Sequence, residues 1–65
     1  MRDIISELKT EREGLKEKLA KLDKAITNYK SLGISSSHAS LMSDQWRAMK
    51  SYVTALDNRI KDLEK

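Results

Sequence analysis

Two lines of apolar side chains, each stepping alternately by three and four residues and parted by one glycine-centred break, constrain this chain more than any other feature. The first runs Ile5, Leu8, Leu15, Leu19, Leu22, Ile26 and Tyr29; the second runs Ala39, Met42, Trp46, Met49, Val53, Leu56, Ile60 and Leu63. Such steps bring a side chain back to the same face of an α-helix, so each line is the seam of an amphipathic helix with coiled-coil character. With Ile5, Arg12, Leu19 and Ile26 as a positions, Met1, Leu8, Leu15, Leu22 and Tyr29 fall at d. Arg12 is the one charged intruder on that first seam.

Between the seams, Gly33 supplies the left-handed backbone that commonly ends a helix, and Ser35, Ser36 and Ser37 offer hydroxyls that cap the next one. Ser35 is the favoured cap. The spacing predicts a single hairpin over 1–65, with a first helix at about 3–31, a loop at about 32–35 and a second helix at about 36–64. So short a connection makes antiparallel neighbours the natural packing. A turn centred near Gly33 and Ile34 sets Ile26 opposite Met42, Leu22 opposite Trp46, Leu15 opposite Val53 and Leu8 opposite Ile60. In that register Arg12 meets Leu56, with Asp57 beside it.

The expected fold class is therefore all-α, a two-helix antiparallel hairpin that assembles into a homo-oligomeric helical bundle. The assembly is an argument from size. At 65 residues the chain buries too small a share of its surface to be comfortably stable, and it lacks the cysteines that would staple it. One histidine cannot build a zinc site within one chain, so neither a metal nor a cofactor is expected.

The formal charge of +3 arises from Lys and Arg interleaved with Asp and Glu, which argues against a nucleic-acid surface. The apolar runs are far shorter than the roughly 20 residues of a membrane span, and no signal-peptide core is present, so a cytoplasmic protein is expected. His38 among serines does not make a catalytic pair, because serines ahead of a helix are explained by capping and no oriented third group accompanies them. An enzyme is not expected.

The second helix carries another line besides its seam: Leu41, Gln45, Ala48, Tyr52, Ala55 and Arg59. One hairpin buries only one such line. Small Ala48 and Ala55 allow close approach of another helix or a flat ligand, while Gln45, Tyr52 and Arg59 bring hydrogen-bonding groups and a guanidinium fork suited to anions. Gln45, Ala48, Tyr52 and Arg59, with Arg12 from the first seam, are the candidate oligomer-interface or ligand residues. Arg12 either reaches Asp57 or solvent, or is itself a ligand contact or a buried register-setting group.

The run Glu11, Arg12, Glu13, Leu15, Lys18, Leu19, Leu22, Ile26, followed by Gln45, Met49, Tyr52, Leu56, Arg59 and Ile60, resembles a family of small phage and prophage proteins described as crAss-phage-related. The likeness covers most of residues 11–60 without a gap. It departs at Ala25, where that pattern prefers Phe, and near Ser31, where an aromatic is common. The resemblance implies a phage-encoded accessory protein acting in the host cytoplasm. Helical proteins of that kind include anti-defence sponges that sequester nucleotide immune signals, so a cyclic nucleotide or an ADP-ribose-derived signal is the implied ligand. The competing reading is a protein–protein inhibitor or assembly module acting on a host protein through the Gln45 to Arg59 face.

Overall fold

The computed structural model describes residues 2–65, and the d position assigned to Met1 lies outside them. It contains two helices, α1 (Arg2–Thr27) and α2 (Ser36–Leu63), packed against each other as an antiparallel hairpin measuring 46 × 15 × 11 Å.

Regular α1 stops at Thr27, short of the expected 31. Asn28 marks the end locally: its side-chain amide donates to the Lys24 carbonyl at 3.0 Å, the same carbonyl that accepts its backbone N–H in an ordinary helical bond, also at 3.0 Å. A side chain that bonds the preceding turn in this way competes with regular helix. The chain then closes through a paired C-terminal motif, with Gly33 N–H donating to Lys30 C=O at 3.1 Å and Ile34 N–H to Tyr29 C=O at 2.9 Å. Gly33 takes the positive φ, 74°, that this closure requires. The helix α2 starts under the cap expected for it, the Ser35 hydroxyl accepting from the His38 N–H at 3.1 Å.

The seams meet in the expected register. Leu8, Leu56 and Ile60 form the buried cluster, with Leu15 and Leu63 packed around it, and Leu19, Ala39 and Val53 are buried along the same line. Among the described residues, only Leu56 is wholly inaccessible. Arg12 resolves its conflict with the seam by donating to Asp57 at 3.0 Å. Its Nε lies 3.3 Å from a Glu13 oxygen, a second ion-pair contact, this one within α1. Near the free ends, Lys9 pairs with Glu64 at 2.8 Å.

Burial thins toward the turn. Leu22, Ile26, Met42, Trp46 and Met49 all occupy seam positions and all remain half-buried. The chain exposes 4987 Å² in total, several hundred Å² more than the roughly 4,200 Å² that scaling gives for a compact monomer of its mass. A rod of two helices has no third element to cover its flanks.

Candidate functional site

An antiparallel pair of rods has two flanks, and here they differ in chemistry. Residues seven apart share a helix flank. On the first flank, Ile4, Glu11, Lys18 and Ala25 of α1 lie alongside Gln45, Tyr52 and Arg59 of α2, with Leu41, Ala48 and Ala55 just beyond. On the second, Lys9, Lys16 and Asp23 lie alongside Ser43, Lys50, Asp57 and Glu64.

The second flank is charged, and two ion pairs tie it down, Lys9 to Glu64 and Arg12 to Asp57. The first flank carries exposed apolar surface instead: Leu41 is 64% exposed, and Ile4 and Tyr52 are each 43% exposed. One contact crosses it, the Tyr52 hydroxyl donating to the Glu11 carboxylate. That bond holds the Tyr52 phenol above its ordinary pKa; partial desolvation and the Glu11 charge add to the effect, and nearby Arg59 opposes it.

The hairpin thus brings Gln45, Ala48, Tyr52 and Arg59 to one flank and leaves all four exposed. Arg12 is not among them. It is turned toward the second flank, where the Asp57 hydrogen bond holds its guanidinium even more firmly charged than usual.

Further along the first flank, toward the turn, lies a groove of about 370 Å³ lined by Lys18, Lys21, Leu22, Ala25, Gln45 and Met49. Leu22, Ala25 and Met49 make its floor, the two lysines one wall and Gln45 the other. Sequence reasoning singled out Gln45 but missed the lysines, which looked like part of a solvated mixed-charge face. The register held the signal: it sets Lys18 and Ala25 on the flank shared with Gln45 and Tyr52.

The second flank has two smaller grooves about Trp46. One is lined by Asp23, Ile26, Ser43 and Arg47, the other by Lys16, Leu19, Ala20, Asp23 and Lys50. Trp46 therefore shows an edge to solvent although it stands on the seam. Among the described residues, no three His, Cys, Asp or Glu side chains gather as a metal site would need, and no helix is long and apolar enough to cross a membrane.

No curated protein and no solved structure matches the chain. A family model described as Sequestin does, over residues 2–62, and the name denotes sequestration, a binding role. Because that match takes in α1, the turn and nearly all of α2, the chain belongs to the Sequestin family.

Proposed function

We propose that this protein is a phage-encoded, non-enzymatic sponge whose copies assemble through the first flank and hold a nucleotide immune signal, a cyclic nucleotide or an ADP-ribose derivative, in the host cytoplasm. The observation that supports it is the asymmetry of the flanks: one is charged and tied by ion pairs, the other leaves Leu41, Tyr52 and Ile4 in water. Exposed apolar surface of this kind, interrupted by polar groups, marks a surface built for contact.

The unit of assembly is the whole hairpin, 1–65. A second copy fits the flank because the line on α2 alternates large and small groups. In a two-fold antiparallel pairing of α2 helices, each Tyr52 comes over an Ala48, filling a hole with a knob, while Gln45 stays at the edge of the contact. Gln45, Tyr52 and Arg59 then border a concave site able to take an aromatic base and an anionic group. Arg12 serves the site only indirectly, by fixing the register of the two helices through Asp57.

Sedimentation equilibrium at micromolar concentration should find an oligomer, and Tyr52→Ala should weaken it without loss of helicity. A well-folded single copy would end the assembly reading. Native mass spectrometry after incubation with cyclic di- and trinucleotides and ADP-ribose derivatives should show retained ligand. Retention of none of them, together with capture of a defined host protein by the Gln45 to Arg59 face, would favour an inhibitor of that host protein instead.

A further inference from the structure

The geometry points to the groove between Lys18, Lys21 and Gln45 as a nucleotide subsite, with a phosphate held by the two lysines and a planar base laid on Leu22, Ala25 and Met49. This inference rests on the sponge reading and adds to it a place, a polarity and two residues, Lys18 and Lys21, outside the Gln45 to Arg59 line.

Charge complementarity carries it. Neither Lys18 nor Lys21 has an ion-pair partner among the described residues, and no carboxylate lines the groove. The neighbouring concavities are different. Asp23 stands in both grooves beside Trp46, opposing Arg47 in one and Lys16 and Lys50 in the other, and Glu13 and Glu17 line the hollow behind α1 together with Lys9. An anion entering any of those would meet a carboxylate.

Lys18 and Lys21 are one helical turn apart, a spacing that places their ammonium groups side by side on α1. The floor beneath them is apolar, made of Leu22, Ala25 and the flexible thioether of Met49, which suits the face of a ring. Gln45 across the groove has both a donor and an acceptor, and among the described residues no side chain or backbone group occupies either. An amide so placed can read the hydrogen-bonding edge of a base. At about 370 Å³ the groove lies within the size range of small-molecule sites.

The test is a titration of the full chain followed by amide NMR, using AMP, adenosine, inorganic phosphate, ADP-ribose and cyclic di-AMP as separate probes. Shifts should gather at Lys18, Lys21, Ala25, Gln45 and Met49, and AMP should bind at least about tenfold tighter than adenosine, the gain of a charge-assisted contact. The double variant Lys18→Gln, Lys21→Gln should abolish that difference. Both lysines are exposed, so unchanged circular dichroism will show that the variant is folded.

Inorganic phosphate binding as well as AMP would overturn the subsite, since the floor would then read no ring. Nucleotide shifts gathered around Trp46, or confined to Tyr52 and Arg59 with none at Lys18 and Lys21, would overturn it too while leaving nucleotide sequestration standing. No shift with any probe, in a sample whose native mass spectrum also retains none, would bring down both.

Discussion

The free-end half of the hairpin and the turn half are built from the same alternating seam, yet they pack differently. At the free ends, Leu8, Leu56 and Ile60 close over one another, and the Lys9–Glu64 and Arg12–Asp57 pairs fasten the helices across one side. Toward the turn, Leu22, Ile26, Met42, Trp46 and Met49 are only half-buried, no ion pair joins α1 to α2, and grooves open on both flanks. Aliphatic branched side chains at the free ends fill the gap between the helices, and the hollow in that half, which Ser6, Lys9, Glu13 and Glu17 help to line, lies on α1 alone. The indole of Trp46 and the thioether of Met49 are wider or longer than the seam, so they reach past it and form the walls and floors of grooves. The lesson is a division of labour: one half supplies the closed seam and the other supplies the grooves that open between the two helices.

The strongest way to break this contrast is to truncate one seam residue from each half. Leu56→Ala, at a wholly inaccessible large side chain, should cost about 2–5 kcal/mol in urea unfolding followed by circular dichroism. Met49→Ala should cost distinctly less, because its side chain is already partly in water. Equal losses would show that the halves are not distinct in stability.

A gentler substitution sharpens the same contrast. Gly14 sits inside α1, and a methyl group there would meet nothing within 4 Å. Gly14→Ala should therefore stabilise the hairpin by about 0.5–1 kcal/mol through helix propensity alone. Binding in the groove between Lys18 and Gln45 should not change; if it does, stiffness at the free ends controls the turn half after all.

The smallest effect concerns Tyr52, where the free-end half borders the turn half. Its phenol is held protonated by the bond to Glu11, so its folded pKa lies above the unfolded value. The stability this contributes is fully present below the ordinary tyrosine pKa of about 10 and is lost as pH rises through the folded value. Glu11→Gln should move the appearance of phenolate absorbance at Tyr52 to lower pH. An unchanged titration would mean that the cross-helix bond does not persist in solution.

Much of the hairpin could be read before any coordinates. Both seams, the Gly33 break, the Ser35 cap and the meeting of Arg12 with Asp57 all follow from spacing, because the helical repeat and the length of the connection leave one sensible pairing. The early end of α1 at Thr27 was not legible, since it depends on where the Asn28 amide finds a carbonyl. Nor was the exposure of Trp46, because a seam position says which way a side chain points and not whether the opposite helix is broad enough to cover it.

Sequence by itself thus determined the fold class and the register, both of them properties of a pattern repeated along one dimension. Tertiary structure alone decided which flank stays open and which charges remain unpaired. Lys18 and Lys16 look alike in the sequence, each a lysine among glutamates. Only the approach of α2 gives Lys18 an amide and an apolar floor across a groove without carboxylates, and places Lys16 in one shared with Asp23. The difference is set by what lies across the gap, and that is fixed by the packing of one helix against the other.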